Sequence, residues 1–243
     1  LYESELACGD TEAEKVLLKS RIQRMMFSLR HDEATAGWSE ESVSKLLEVD
    51  WLKRYLHKLF SPSTNHLSFT TDHGAVVAIT MSNGYGSGIT IPGTGIACNN
   101  SLGEPELNPQ GFFQIPAGGK FVSNMSPVTA WNTAGTSIAM GSPGASRITT
   151  SLFQGWINFT MEGMDATAAT RAPRFHVENI NGVFTLQHEP GIDTSLAGEL
   201  FELRAFEGPD MYFGALNIAG CDEAGRLFVS ADKRRHGSEL LTL

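Results

Sequence analysis

Thr64 could do chemistry because of where it stands. It lies in Ser63-Thr64-Asn65-His66-Leu67-Ser68, after a long helical pattern and before a run that reads as sheet. A threonine hydroxyl is a weak nucleophile at neutral pH and needs an adjacent base. Cutting the Ser63–Thr64 bond would free an α-amine on the same residue, with a reference pKa of about 8, able to accept that proton. Uncut, the nitrogen belongs to an amide and is not basic. Downstream, the glycine-rich Gly141-Ser142-Pro143-Gly144-Ala145-Ser146-Arg147 supplies a second unusual segment. Together they suggest an N-terminal nucleophile uncovered by chain cleavage.

Several elements must position these residues. From Glu12 to Arg30, Val16, Leu17, Leu18, Ile22, Met25, Met26 and Leu29 recur near the helical period. Ser39 before Glu40-Glu41 predicts an N-cap with acid in the first turn. An apolar stripe then runs from Val43 to Phe60, as expected of a packed helix face. Ser61-Pro62-Ser63 breaks that helix. Ala75–Ser82 predicts a strand, on which Thr80 and Ser82 lie two apart and share a face. Asn83–Gly88 predicts a tight loop, and Ser137–Met140 another strand. Helices are predicted over 146–159 and 165–171, and further strands near 174–178, 182–187, 213–219 and 225–230. Strand clusters with helices between them imply sheets covered by helices.

Composition narrows the function. The chain has 243 residues and a formal net charge of −9, the wrong sign for a phosphate-binding footprint. No apolar run approaches a membrane span. Residues 1–15 are acidic and polar, which is not the pattern of a signal peptide. The first residue is Leu1 rather than Met, as expected of a fragment or a processed product. Cys8, Cys98 and Cys221 lack metal-ligand spacing and are expected as buried or free thiols. The histidines show no helical metal-ligand pair, and no cofactor is expected. Gly84-x-Gly86-x-Gly88 has no βαβ context for a dinucleotide. Ser42-Val43-Ser44-Lys45 lies on an amphipathic helix, and Lys233-Arg234-Arg235-His236 is expected as a solvated basic patch.

Five blocks in order carry a resemblance. They are Thr64-Asn65-His66-Leu67-Ser68, Gly95-Ile96-Ala97-Cys98-Asn99-Asn100, Asn124-Met125-Ser126-Pro127, Gly141-Ser142-Pro143-Gly144-Ala145-Ser146-Arg147-Ile148 and Ala172-Pro173-Arg174-Phe175-His176. From Thr64 onward the chain resembles the small subunit of gamma-glutamyltransferases, in a divergent bacterial branch. The resemblance implies an α+β fold, the N-terminal nucleophile hydrolase αββα sandwich, and a precursor that cuts itself between Ser63 and Thr64. Residues 1–63 then correspond to the tail of the large subunit and residues 64–243 to the small, catalytic subunit. The rest of the large subunit is an implied partner. A periplasmic or secreted location is implied as well, although the residues are equally compatible with the cytoplasm.

The same resemblance assigns roles. Thr64 is the nucleophile, with Thr80 and Ser82 as the hydroxyls that orient it. Gly144 and Ala145 match paired glycines whose backbone N–H groups form an oxyanion hole, and Ala145 retains its N–H. Asn83 matches, across a short gap, an asparagine that contacts the donor. Glu104 stands where the family has an aspartate for the donor α-amino group, and Ser101 where a glutamine helps hold the donor. Ser123 matches the first of two serines for the donor α-carboxylate, while Asn124 replaces the second. The stretch Asn100–Gly111 implies a remodelled lid over an open pocket. The implied activity is cleavage of a gamma-glutamyl amide through an acyl-enzyme, with transfer to water or an amine. Two alternatives stay open: a cephalosporin/glutaryl acylase or poly-γ-glutamate-processing enzyme on the same fold, and an uncleaved, non-catalytic homologue.

Overall fold

The computed structural model describes residues 11–17, 19–20, 64–84, 86–104, 107–108, 111–120, 122–180 and 182–241. Ser63 and the helices expected between residues 21 and 60 lie outside the described residues. The first described helical residues are 12–17 and 19–20, where a helix was expected.

Nine strands form three sheets among the described residues. β1 (Thr64–Thr70) and β2 (Val76–Ser82) make an antiparallel hairpin that pairs Thr64 with Ser82 and His66 with Thr80. β3 (Val128–Trp131), β4 (Ser137–Gly141), β8 (Asn217–Cys221) and β9 (Leu227–Ala231) form an antiparallel sheet in the order β3-β4-β8-β9. β5 (Phe175–Ile180), β6 (Val183–His188) and β7 (Glu202–Ala205) form the third, with β6 and β7 parallel. Between β4 and β5 come α1 (Arg147–Thr160) and α2 (Ala166–Arg171). The Asp165 side chain caps α2 by accepting the Ala168 N–H at 2.7 Å.

The alternation of β4 sets the layers. Ile138 and Met140 point into a core with Ile148 and Leu152 of α1, Ala166 and Ala169 of α2, and Ile218 of β8. Ser137, Ala139 and Gly141 therefore face the other way, toward the hairpin. Small residues are required there: a Cβ on Gly141 would sit 2.1 Å from the His66 ring. The hairpin inverts the usual polarity of a strand. Thr64, His66 and Ser68 point inward, whereas Leu67, Phe69, Val77, Ile79 and Met81 are exposed. The order is thus helices, four-stranded sheet, hairpin. A second core joins Val16 of the first helical residues to Phe175, Val177, Leu186, Ala197 and Phe201. Beside it, Lys19 Nζ bonds Glu162 Oε1 at 2.9 Å, just beyond α1.

In the basic run near the end Lys233 and His236 are exposed as expected, but Arg234 is not solvated. Asp232 Oδ2 accepts from Arg174 at 2.6 Å and from Arg234 at 3.2 Å, and Glu189 pairs with Arg234 as well. All four side chains are at most 4% exposed. Arg234 also donates to the carbonyls of Thr170 and Ala172 at the end of α2. The sequence alone reads Arg234 as surface, because its carboxylate partner Glu189 is remote in sequence. Burial lowers the Arg174 guanidinium to about 10, with Asp232 opposing the fall.

Candidate active site

Thr64 begins β1 and is 6% exposed. Its Oγ1 lies 2.9 Å from Ser82 Oγ, directly across the hairpin. Ser82 Oγ also accepts the Gly84 N–H at 3.0 Å, which orients that hydroxyl toward Thr64. Both side chains open on a cavity. Ser101 and Glu104 line it from one loop, Ser123 and Asn124 from another, and Ala145 from the glycine-rich segment. Seven of the residues singled out by sequence thus share one recess, although they come from five separate segments of the chain. Leu107, Met125 and Ile148 complete an apolar wall. The sequence gives these three no role, because an apolar residue beside a polar motif carries no mark of the cavity it faces.

Thr80 and Asn83 are placed differently from expectation. Thr80 shares the Ser82 face, but the register sets it opposite His66, and its Oγ1 lies 2.8 Å from His66 Nδ1 rather than at Thr64. Asn83 is exposed and lies outside the cavity lining. Its backbone carbonyl accepts from Gly86 and Asn100, each at 2.9 Å. The strand ends at Ser82, so residue 83 turns away from the face that Thr80 and Ser82 share.

Both ring nitrogens of His66 are engaged within the hairpin. Its Nε2 lies 2.9 Å from Ser68 Oγ, and its backbone oxygen accepts from Asn217 Nδ2. A neutral imidazole has one N–H and one acceptor nitrogen, which the two hydroxyls satisfy in either tautomer. Burial lowers His66 to about 4. His176, 3.1 Å from Thr150 Oγ1, falls to about 3 through burial and then the Arg147 charge. Both rings are neutral at pH 7 when folded. An unfolded histidine titrates near 6.5, so as pH falls the unfolded chain binds protons first. The stability held above pH ~6.5 is therefore lost toward pH 4 and 3, at up to about 1.4 kcal/mol per pH unit for each ring. Urea midpoints measured from pH 7 to pH 4 are expected to fall, and to fall less in His176→Gln. Equal slopes in the two proteins would exclude this source.

The glycine-rich loop is held by packing. Gly144 has φ 134°, and a Cβ there would lie 2.8 Å from Gly214 Cα. Ser142 Oγ donates to the Pro143 carbonyl and accepts the Ala215 N–H at 2.9 Å. Arg147 Nε donates to the Tyr212 carbonyl at 3.1 Å, with the guanidinium 4.5 Å from the Tyr212 ring. The 211–215 segment thereby braces the turn that carries Ala145 to the cavity. Ala145 has φ 52°, a left-handed conformation that costs a residue with a Cβ about 1–2 kcal/mol. Gly144 itself lies behind Ala145, outside the lining. Because α1 starts at Arg147, its positive end adds to any donor in this turn. Among the described residues no cluster of metal-ligating side chains occurs, and no helix is long and apolar enough to cross a membrane.

A buried threonine hydroxyl, a hydroxyl partner and a small-residue turn at a helix N-terminus form a constellation suited to acyl transfer. The family model for gamma-glutamyltranspeptidase matches residues 9–242. The chain belongs to the gamma-glutamyltranspeptidase family. An acylase ACY 1 proenzyme from a Pseudomonas species is 29% identical over 180 residues, covering 72% of this chain and 30% of its own length. A glutathione hydrolase proenzyme from Escherichia coli is 31% identical over 128 residues, covering 48% and 22%. The chain thus spans less than a third of the length of these relatives. The solved gamma-glutamyltranspeptidase of Pseudomonas nitroreducens, in complex with L-DON, superposes with a TM-score of 0.60 at 23% identity, over 74% of this chain and 100% of that one. That likeness shows the N-terminal nucleophile hydrolase fold for this family member. The helix, sheet and hairpin layers described above fit such a sandwich.

Proposed function

We propose that this protein is a gamma-glutamyltransferase-like enzyme that cuts its own chain before Thr64 and then uses Thr64 as nucleophile. The observation that carries the reading is the Thr64–Ser82 hydroxyl pair opening on a cavity that Glu104 lines with its carboxylate, the one such group there among the described residues. Residues 1–63 would be the tail of the large subunit and 64–243 the catalytic subunit, working with the remainder of the large subunit.

The freed Thr64 α-amine takes the Oγ1 proton, and Oγ1 bonds to the γ-carbonyl carbon of the donor. The carbonyl oxygen becomes an oxyanion, which the Gly144–Ala145 turn and the start of α1 stabilise. Collapse breaks the C–N bond, and the leaving amine takes the proton from the α-ammonium. Water or a second amine then resolves the ester. Ser82 orients Thr64 throughout. Thr80 holds His66, two residues along β1 from Thr64. Glu104 holds the donor α-ammonium, while Ser101, Ser123 and Asn124 offer hydrogen bonds to its polar end.

A glutaryl-type acylase is the second reading. It is favoured by the apolar wall of Leu107, Met125 and Ile148 and by Ser101 and Asn124 in place of the usual donor-binding residues. A panel of γ-glutamyl, glutaryl and poly-γ-glutamyl amides separates the two. Release of amine from γ-glutamyl amides, with Glu104→Ala raising KM at least about tenfold, is expected of a paired ammonium. Turnover of glutaryl amides alone would remove the role given to Glu104 and establish the acylase. An intact mass showing one uncut, inactive chain would instead favour a non-catalytic homologue.

A further inference from the structure

Gly84, Gly86 and Gly88 all have positive φ, at 60°, 75° and 75°. Only the first needs to be glycine for what surrounds it. A Cβ at Gly86 or Gly88 would meet nothing within 4 Å. At Gly84 it would lie 2.6 Å from Glu104 Oε1, 3.0 Å from the Asn100 carbonyl carbon and 3.1 Å from the Ser101 nitrogen. The same residue donates its N–H to Ser82 Oγ, which in turn contacts Thr64 Oγ1.

We propose that Gly84 is a positioning residue that joins the cavity carboxylate to the nucleophile, so that donor recognition at Glu104 and orientation of Thr64 depend on one backbone unit. This rests on the acyl-transfer reading above. The turn is fixed at both ends. Asn83 O accepts from Gly86 and from Asn100, tying Asn83 to the start of the segment that carries Ser101 and Glu104. With the Gly84 N–H occupying one lone pair of Ser82 Oγ, the Ser82 O–H is free to point at Thr64 Oγ1 as that oxygen loses its proton to the amine. A side chain at 84 would push against Glu104 and shift the peptide that aims Ser82. The absence of a Cβ therefore serves substrate contact and hydroxyl orientation together, which the turn conformation alone would not require.

The test is a double-mutant cycle in the full-length, processed enzyme, with kcat and KM measured on the preferred amide donor. Gly84→Ala is expected to lower kcat and raise KM, each by about tenfold, from coupled neighbours. Glu104→Asp withdraws the carboxylate by one methylene and makes room for the Cβ. In the Gly84→Ala background it is expected to restore most of the lost kcat, although alone it improves nothing. Gly84→Asn tolerates the left-handed backbone but carries a Cβ, so it is expected to be as impaired as Gly84→Ala. Multiplicative effects without rescue, or wild-type kcat in Gly84→Asn, would overturn the coupling. Thr64→Ala measured alongside keeps the two ideas apart. Turnover surviving in that variant defeats the acyl-transfer reading and this proposal with it, whereas its loss without rescue at 84 defeats this proposal alone.

Discussion

Thr64→Ala is expected to abolish both cleavage of the Ser63–Thr64 bond and amide turnover, by a factor on the order of 10⁴ or more. Alanine removes the attacking oxygen while leaving the strand intact. Thr64 is the first residue of β1, and its side chain is held by one hydroxyl contact to Ser82. Loss of that single hydrogen bond costs only about 1 kcal/mol, so the variant should fold. A denaturing gel would show one uncut chain, and a thermal melt would show a midpoint near that of the parent. The two readouts separate chemistry from folding. A variant that still yields a fragment beginning at residue 64 would exclude Thr64 as the group that starts self-cleavage.

Asp232→Ala is expected to destabilise the protein by about 3–5 kcal/mol, because it strips one partner from a buried ion-pair network. Asp232 pairs with Arg174 and Arg234 and also accepts the backbone N–H groups of Leu216 and Arg234. Its removal leaves the fully buried Arg174 without its carboxylate. Burial already lowers the Arg174 pKa to about 10 with Asp232 in place, so the lost partner is the main force holding that charge. A chain of this length should lose about 10 °C in melting midpoint. Asp232→Asn, which keeps an acceptor but not the charge, should fall between. Equal midpoints for parent and alanine variant would show that the network contributes little. The location of the network explains its consequence. It ties the end of α2 and the start of β5 to the turn after β9, and Asp232 holds the residue before β8. The two central strands and the helices over them would loosen together.

Elements with a strong local pattern were legible before any coordinates. β2 and α1 fall within a residue or so of their expected limits, because an apolar strand run and a helical apolar stripe are local signals. α2, expected over 165–171, runs from Ala166 to Arg171. Three strands escaped, among them β1, whose polar Thr64, His66 and Ser68 turn inward. β7 is Glu-Leu-Arg-Ala, exposed along its length, and exists because β6 offers it a parallel edge. β3 is four residues that pair with β4 through a turn. The strand expected over 213–219 starts late, at Asn217, since Met211–Phe213 is a 3-10 turn followed by Gly214 at φ 78°.

The sequence by itself determined the chemical inventory. Thr64, the glycine-rich turn, Glu104, Ser101, Ser123 and Asn124 could be named as one candidate set through the family resemblance that the ordered blocks carry. Only the tertiary structure decided which of them meet. The β1–β2 register gave Thr64 to Ser82 and diverted Thr80 to His66. The end of β2 sent Asn83 outward and left Gly84 bonded to Ser82, with no room for a Cβ beside Glu104. Packing of the 211–215 segment fixed the turn that brings Ala145 to the cavity. The physical reason is that partners in a site are chosen by register and by close contact between remote segments. A one-residue shift along the chain, invisible in composition, moves a hydroxyl to a different neighbour.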